Sequence, residues 1–405
     1  MAAGGGREGA ASIHYTPRVT AGAVSADLVI PAADPAVLRE ICAWEGFRPA
    51  TFASSDFPVD VVRFDGSASR PVIVSRARRA ETLKALPASL RQRTEAAFAR
   101  AAAPHAALRL ANGRSIDLSR GPAVMGIVNV TPDSFSDGGV HFDRGRAVEA
   151  ALRMLDEGAA VVDVGGESTR PRNYGDAREL PADEEIARVV PVVAGIRARS
   201  AAPISVDTRK AAVARAALAA GADLVNDVTG GRYDPGLLEA AAGAGAGAIL
   251  MHMRGTDPRT MQDDVRYDHP LADIAGVLAE AAARAVDAGV APDAVALDPG
   301  LGFGKSPDGN LALLRHLAAF RTLGFPIAAG ASRKGFVRRF SGVEEDAGNA
   351  ERLPGSLAAM AAAASAGAIL LRVHDVAESV RYLRMARAIA SPSAETAATT
   401  RASVR

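Results

Sequence analysis

The sequence between about residues 123 and 376 repeats one unit eight times, a short apolar run followed by an alanine-rich helical stretch. The runs are VMGIVNV, AVVDVGG, PISVDT, DLVNDV, AILMHM, AVALDPG, PIAAGAS and AILLRVHDV. Their unbroken apolar character is typical of parallel strands covered on both faces. Eight βα units in about 265 residues match a closed (β/α)8 TIM barrel, an α/β fold. An open doubly wound sheet is the competing fold, and the lack of a nucleotide-binding fingerprint makes it the weaker one.

The segments that flank the barrel differ from it in composition. Residues 1–34 are rich in Gly and Ala and predict a flexible leader, while residues 391–405 predict a disordered tail. Residues 35–118 predict a small N-terminal α/β extension of unknown role. It is expected to hold helices at AVLREICAWEGF and SLRQRTEAAFARAAA, short strands at VDVVRF and PVIVSR, and a hairpin turning at Asn112-Gly113. The catalytic barrel is then expected over residues 119–390.

Charge and cysteine content exclude several classes of protein. The formal net charge is +1, from 47 basic and 46 acidic residues, so nothing indicates a nucleic-acid or membrane-surface partner. Cys42 is the only cysteine, which excludes a disulfide framework and a thiolate metal site and fits a reducing, cytoplasmic environment. The sequence predicts neither a transmembrane helix nor a signal peptide.

Polar residues stand at the ends of the apolar runs. They are Asn129, Asp163, Asp207, Asn226, His252, Asp298, Ser332 with Lys334, and Arg372 with His374. One such residue could be a structural cap, but burying so many unpaired polar groups would cost several kcal/mol. Because a (β/α)8 barrel builds its active site at the C-terminal ends of its strands, we expect these side chains to meet at one mouth.

Lysine usage gives supporting information. The chain has four lysines, Lys84, Lys210, Lys305 and Lys334, and arginine supplies the other basic side chains. Three of the four lie in or beside the polar strand ends. A retained lysine indicates a position where a compact ammonium on a flexible stem is needed.

The segments after the strands resemble the motifs of the dihydropteroate synthases, in that family's order. They are MGIVNVTPDSFSDGG (125–139), VDVGGESTRP (162–171), SVDTRK (205–210), NDVTGG (226–231), LMHMRG (250–255), LDPGLGFGK (297–305), GASRKGF (330–336) and RVHDV (372–376). The resemblance covers about residues 120–390, the whole predicted barrel. It implies an enzyme of folate biosynthesis that condenses 6-hydroxymethyl-7,8-dihydropterin pyrophosphate with p-aminobenzoate, giving 7,8-dihydropteroate and pyrophosphate.

The resemblance also implies the pterin-binding residues, which are Asp207, Asn226, Asp298 and Lys334. A pterin is a flat heterocycle with a guanidine-like edge and an amide edge, so its recognition requires acceptors and donors in a dry pocket. Asp298 would accept hydrogen bonds from the pterin N–H groups. Lys334 would donate to the pterin carbonyl and ring nitrogen.

For the pyrophosphate, the resemblance implies Asn129, Thr169, Arg372 and His374, with Asn129 also holding Mg²⁺. Arg372 and His374 stand two residues apart at the end of the eighth strand, so both can face the mouth. Catalytic roles are expected for Asp137, Lys334, Arg372 and His374. The chemistry would be mainly positioning and electrostatic stabilisation of a departing diphosphate.

The p-aminobenzoate slot is expected to be formed by Phe135, Arg170, Pro171, Phe303 and Ser332. Two loops, about 130–141 and 166–181, would close over the intermediate and exclude water. The second loop continues as RNYGDARELP after STRP, which is bulkier and more charged than the family pattern. By resemblance, the partners are the two small-molecule substrates and a second copy of the chain in a homodimer.

Two other functions compete with the synthase. A methyl-tetrahydrofolate-dependent corrinoid methyltransferase would share the Asp/Asn pterin pocket, but it would need neither the long first loop nor the Arg372–His374 pair. A catalytically silent pterin-binding paralogue would be expected to lose some loop or pyrophosphate residues, and the set here is complete.

Overall fold

The structure, a computed structural model, describes residues 59–62, 72–75, 88–130, 144–168, 179–263, 265–267, 270–344 and 348–390. The predicted leader (1–34), the helix AVLREICAWEGF and the tail (391–405) lie outside these ranges. So do five of the predicted site residues, which are Phe135, Asp137, Thr169, Arg170 and Pro171.

The described part of the N-terminal extension consists of two antiparallel strand pairs and one helix. Strands β1 (Val59–Val62) and β2 (Val72–Ser75) pair with each other, and helix α1 (Ala88–Ala102) follows. Strands β3 (Ala107–Arg109) and β4 (Ser115–Asp117) form a hairpin. Its turn places Asn112 at φ 57° and Gly113 at φ 71°, a left-handed conformation that Asn and Gly adopt readily. The structure confirms these predicted elements.

Eight parallel strands then form one sheet. They are β5 (Ala123–Asn129), β6 (Val161–Gly165), β7 (Ile204–Asp207), β8 (Leu224–Asp227), β9 (Gly247–Met251), β10 (Val295–Asp298), β11 (Ala328–Ala329) and β12 (Leu370–Val373). Their order is β10-β9-β8-β7-β6-β5-β12-β11. A parallel bridge between Leu297 and Ile327 joins the two ends of this sheet, and Leu297 N–H donates to Pro326 O at 2.9 Å. The predicted closed barrel is confirmed, and the open sheet is not.

Nine helices lie on the outside of the barrel in the described ranges. They are α2 (Arg144–Asp156), α3 (Ala182–Arg197), α4 (Ala211–Ala219), α5 (Gly236–Gly243), α6 (Pro270–Asp287), α7 (Pro307–Arg315), α8 (Gly335–Phe340), α9 (Leu353–Ser365) and α10 (Val376–Ala390). A 3₁₀ segment, Leu317–Leu323, precedes β11. The many alanines favour helix and are small enough to let helices and strands approach closely. Ala147 and Ala151 of α2, for example, are fully buried.

The strands bury both faces, which explains their apolar character. Val162 of β6 and Leu250 of β9 pack in the layer between the strands and the helices. Their sequence neighbours Val161 and Ile249 point the other way and pack inside the barrel. Alternate residues of a strand point to opposite faces, so a strand that is covered on both sides must be apolar at every position.

The β3–β4 hairpin closes the amino-terminal end of the barrel. Its side chains Leu108, Leu110, Ile116 and Leu118 pack against the inward-facing Met125, Leu224, Ile249 and Leu370. Asp223, immediately before β8, is fully buried and fastens the hairpin. Its carboxylate accepts from Arg114 at 2.8 Å and from Arg197 at 2.5 Å, and its carbonyl accepts from Ala111 N–H at 3.1 Å. This hairpin is the floor of the barrel, opposite the mouth.

Within the described residues, no helix is both long and apolar enough to cross a lipid bilayer.

Candidate active site

The carboxyl ends of four strands are joined by one hydrogen-bonded network inside the barrel. Arg372 of β12 reaches across the mouth, where its Nε donates to Asp163 Oδ2 at 2.6 Å and its Nη2 to Asp207 Oδ2 at 2.7 Å. Asn226 Nδ2 donates to the same Oδ2 of Asp163 at 3.0 Å. The prediction that these strand-end side chains meet is therefore confirmed for β6, β7, β8 and β12.

Burial shapes the electrostatics of this network. Burial raises the pKa of Asp207 to about 7, although Arg372 opposes the shift, and the neighbouring Asp163 raises it further. Burial alone would lower the pKa of Arg372, but the carboxylates of Asp163 and Asp207 raise it above its ordinary value. Asp163 is fully buried, and its Oδ1 has no hydrogen-bond partner among the described atoms. The network thus offers an acceptor that a bound ligand could use.

A second charged pair lies between the ends of β10 and β11. Asp298 is 7% exposed, and its Oδ1 accepts from Gly300 N–H at 2.7 Å. Burial raises its pKa, while nearby Lys334 opposes that shift. Burial lowers the pKa of Lys334 to about 7 against the attraction of Asp298. Lys334 Nζ donates to Leu301 O and lies 4.4 Å from the centre of the Phe303 ring. Asp298 and Lys334, which are predicted to bind the pterin, therefore lie beside Phe303, which is predicted to bind p-aminobenzoate.

Ser332 and His374 connect the loops that follow β11 and β12. Ser332 Oγ accepts from His374 N–H at 3.2 Å and lies 3.0 Å from its Nδ1. Arg333 adopts φ 58°, which is unusual for a side chain of its size, and its Nε donates to Asp375 Oδ2 at 3.1 Å. This ion pair holds the two loops together and orients Ser332 toward His374. Nothing in the sequence alone indicated the strained backbone at Arg333.

Asn129 ends β5, where it is half-buried and lies opposite Gly165 of β6. Among the described residues, no group of three or more His, Cys, Asp or Glu side chains is placed to hold a metal ion. Mg²⁺ is usually held by one or two protein oxygens together with waters and substrate phosphates. One amide oxygen at this strand end fits a Mg²⁺ that arrives with a diphosphate. It does not fit a metal caged by protein alone.

The sequence predicts His252 at the mouth, and for Lys305 it predicts either a structural role or a position lining the mouth. Lys305 is 5% exposed, and its Nζ contacts three groups, which are Gly300 O at 2.8 Å, His252 O at 3.0 Å and His252 Nδ1 at 2.7 Å. Burial lowers the pKa of Lys305 well below its ordinary value, and burial also lowers that of His252. The scarcity of lysine singles out this position in the sequence, but it does not indicate the partners of Lys305.

A cluster of ion pairs also went unpredicted. Lys210 Nζ donates to Glu167 at 2.9 Å and to Glu185 at 2.6 Å. Arg209 lies 3.1 Å from Glu179 and 3.4 Å from Glu167, and its guanidinium stacks 4.1 Å from the ring centre of Tyr233. Glu167 precedes and Glu179 follows part of the predicted second loop, so Arg209 connects the two ends of that segment.

Known proteins of one family are similar to this chain in sequence and in fold. Residues 125–374 match the family described as "Pterin binding enzyme". The dihydropteroate synthase of Escherichia coli (strain K12) is 46% identical over 281 residues, which is 69% of this chain and 96% of that protein.

Two solved structures of Xanthomonas albilineans dihydropteroate synthase are similar to this fold. The one with 4-aminobenzoic acid aligns with a TM-score of 0.64 at 44% identity, covering 70% of this chain and 99% of that one. The one in complex with 7,8-dihydropteroate aligns with a TM-score of 0.61 at 41% identity, with the same coverage.

Proposed function

The chain belongs to the dihydropteroate synthases, a family of pterin-binding transferases, and from that premise we propose how its barrel mouth carries out the reaction. The enzyme joins the amine of p-aminobenzoate to the methylene carbon of a dihydropterin pyrophosphate. The carbon–oxygen bond to pyrophosphate breaks, and the bonding electrons leave with the diphosphate. The observation that carries the proposal is the meeting of Asp163, Asp207, Asn226, Asp298, Lys334 and Arg372, which come from six strand ends, at one open end of a closed barrel.

The pterin is held by Asp207, Asn226, Asp298 and Lys334. Asp298 offers one oxygen to the pterin N–H groups while its other oxygen is fixed by Gly300 N–H. Lys334 already donates to a carbonyl oxygen beside Phe303, so a small movement of its flexible stem brings the amine onto the pterin carbonyl. These groups are preorganised by burial, and this reduces the cost of ordering them on binding.

The pyrophosphate is bound by Asn129, Arg372 and His374, with Thr169 as a further donor. A guanidinium has five N–H donors, and the carboxylates of Asp163 and Asp207 engage Nε and Nη2. Within the described residues no other side chain engages the remaining donors, and we propose that they bind the substrate anion. Mg²⁺ would be held by the Asn129 amide oxygen and the phosphate oxygens, and it would supply charge neutralisation of the diphosphate.

Catalysis follows from electrostatics and positioning. Arg372 and His374 stabilise the negative charge that grows on the diphosphate as it departs. The positive charge left on the pterin methylene is delocalised into the ring, and the ring lies against the carboxylates of Asp298 and Asp207. The arylamine nitrogen then forms the new bond, and a proton leaves from that nitrogen. Asp137 is proposed to face this cation.

The p-aminobenzoate lies between Phe303 and Ser332, with Phe135, Arg170 and Pro171 completing the slot. Lys334 lies over Phe303, so the two substrate sites adjoin where the bond forms. We also propose that the protein is a cytoplasmic homodimer. We propose four segments for the chain, which are a leader (1–34), an extension (35–118), the barrel (119–390) and a tail (391–405).

The test is pyrophosphate release by the purified protein, which we expect to require both substrates and Mg²⁺. Asp298→Asn should lower kcat/KM by about tenfold to about 100-fold, since one charge-assisted hydrogen bond contributes about 1.5–3 kcal/mol. Asp293→Asn is the matched control, because Asp293 precedes the same strand at its opposite end and its side chain is 69% exposed. Absence of release, or equal kcat/KM for both variants, would contradict the proposal.

A further inference from the structure

Lys305 is a buried lysine whose described hydrogen bonds go to no carboxylate. Its Nζ is held by Gly300 O, His252 O and His252 Nδ1, at 2.7–3.0 Å. Lys210, the other buried lysine near the mouth, is instead paired with Glu167 and Glu185. Burying an amine without a carboxylate partner costs free energy, which raises the question of what its three contacts position in the site.

The two residues that Lys305 holds are the same two that hold Asp298. Gly300 N–H donates to Asp298 Oδ1 at 2.7 Å, and His252 N–H donates to the backbone carbonyl of Asp298 at 2.9 Å. Gly300 and His252 therefore each use their N–H group to bind Asp298 and their carbonyl oxygen to bind Lys305.

The loop from Asp298 to Lys305 approaches His252 so closely that only glycine fits at position 300. Gly300 has φ 71°, and a Cβ placed there would come within 1.9 Å of His252 O. The loop therefore passes directly against the end of β9, which brings two carbonyl oxygens, Gly300 O and His252 O, near each other. Lys305 Nζ lies within hydrogen-bonding distance of both and offsets their repulsion.

We propose that Lys305 is a positioning residue for Asp298. It fastens Gly300, whose N–H holds the carboxylate, to His252, whose N–H holds the backbone carbonyl of Asp298, and it thereby keeps the carboxylate in the orientation that binds the pterin. This inference rests on the proposed role of Asp298 as a pterin acceptor. An amine suits the position because it can reach three partners in different directions from a single atom. Glutamine could satisfy two of them with its amide donors.

The experiment is a double-mutant cycle read out as the dissociation constant for the pterin substrate, measured by calorimetry without p-aminobenzoate. Lys305→Met is expected to raise this constant by about tenfold to about 100-fold, because a misoriented Asp298 carboxylate loses a charge-assisted hydrogen bond to the pterin. In the Asp298→Asn background the same substitution should change it by less than about twofold, because the two residues act as one unit. KM for p-aminobenzoate should change far less than KM for the pterin.

Lys210→Met is the matched control, because it removes a second buried lysine that does not contact Asp298, Gly300 or His252 in the described structure. Its effect on pterin binding should be the same in both backgrounds. Lys305→Gln serves if Lys305→Met does not fold, and it should show a smaller loss that also disappears in the Asp298→Asn background.

The inference is overturned if the effects of Lys305→Met and Asp298→Asn multiply, or if Lys305→Met lowers the unfolding temperature but leaves pterin binding unchanged. Failure of the proposed function would look different, because the wild-type protein itself would then release no pyrophosphate from the two substrates, whatever its affinity for the pterin.

Discussion

At the scale of single residues, two opposing effects act on the pKa of Lys334. Burial disfavours its ammonium form and the carboxylate of Asp298 favours it, and burial prevails, lowering the pKa from 10.5 to about 7. An amine that titrates near neutral pH can exist in either protonation state when the substrate arrives. This matters for a residue that is proposed to donate a hydrogen bond to the pterin.

We predict that Lys334 titrates near pH 7 in the ligand-free protein. Reductive ¹³C-methylation followed by NMR should show one lysine signal with that midpoint, and Lys334→Arg should remove it. The unfolded chain binds more protons than the folded one between about pH 7 and pH 10.5, so Lys334 makes the free energy of unfolding rise with pH in that window. A Lys334 signal that titrates near 10.5 would contradict the prediction.

The polar side chains at the mouth were predictable from the sequence, because each follows an apolar run and the strand ends of a barrel converge. Their pairing was not. That Arg372 joins Asp163 and Asp207 depends on how far a guanidinium reaches across the barrel, which strand order alone does not give. The partners of Lys305 were not predictable for a similar reason, since they are mostly backbone carbonyls that carry no sequence signal.

At the scale of elements, the floor hairpin depends on the buried carboxylate of Asp223. This group accepts from Arg114 at 2.8 Å, from Arg197 at 2.5 Å and from Ile204 N–H at 2.9 Å. It links β3–β4 to α3, β7 and β8, so its charge balances two guanidinium groups at the base of the barrel. Breaking a buried ion pair by removing one partner leaves the other charge uncompensated.

We therefore predict that Asp223→Asn lowers the free energy of unfolding by about 3–5 kcal/mol, measured by urea denaturation. Pterin affinity of the folded variant should stay near the wild-type value, because Asp223 lies at the opposite end of the barrel from the mouth. Asp293→Asn, which breaks the exposed pair with Arg109, should cost less than about 1 kcal/mol. Equal stability of the two variants would refute this account of the floor.

The eight strands were predicted within one to a few residues because fully buried parallel strands have an unbroken apolar pattern. Strand β11 is much shorter, with only Ala328–Ala329 in the ladder. The small residues from Ala328 to Ser332 offer little side-chain surface for packing against neighbouring strands and helices. The hairpin at 107–117 was predicted from its turn, but not its place under the barrel. Its main anchor, Asp223, lies 109 residues from Arg114, and no local pattern records such a contact.

At the scale of the whole molecule, helix α1 and the floor hairpin β3–β4 contribute differently to the stability of the barrel. Helix α1 packs along the 3₁₀ segment Leu317–Leu323 on the outside of the barrel, where Arg100 Nε donates to Thr322 O at 3.4 Å. The hairpin, by contrast, covers Met125, Leu224, Ile249 and Leu370, each of which is at most 2% exposed. Fully burying such a side chain contributes about 1.5–3 kcal/mol.

We predict that a chain beginning at Ala106 retains pyrophosphate release, whereas one beginning at Gly121 loses cooperative unfolding. The second truncation uncovers several large apolar side chains at once, and the first keeps them covered. Thermal unfolding followed by circular dichroism, together with the turnover assay, distinguishes the two. Cooperative unfolding and turnover in the chain that begins at Gly121 would show that the hairpin is dispensable, and loss of both in the chain that begins at Ala106 would show that α1 is needed.

The pairing of β5 with β12 has a consequence for biosynthesis. These neighbours are the first and last strands of the cylinder, so the ring stays open on the ribosome until β12 has emerged. Until then Asp163 lacks the arginine that neutralises it, and the half-made ring exposes an unpaired strand edge. Emergence of β12 and closure of the barrel around the pterin pocket are therefore one event, and a translation product that stops before β12 would be recognisable to proteases because it cannot close.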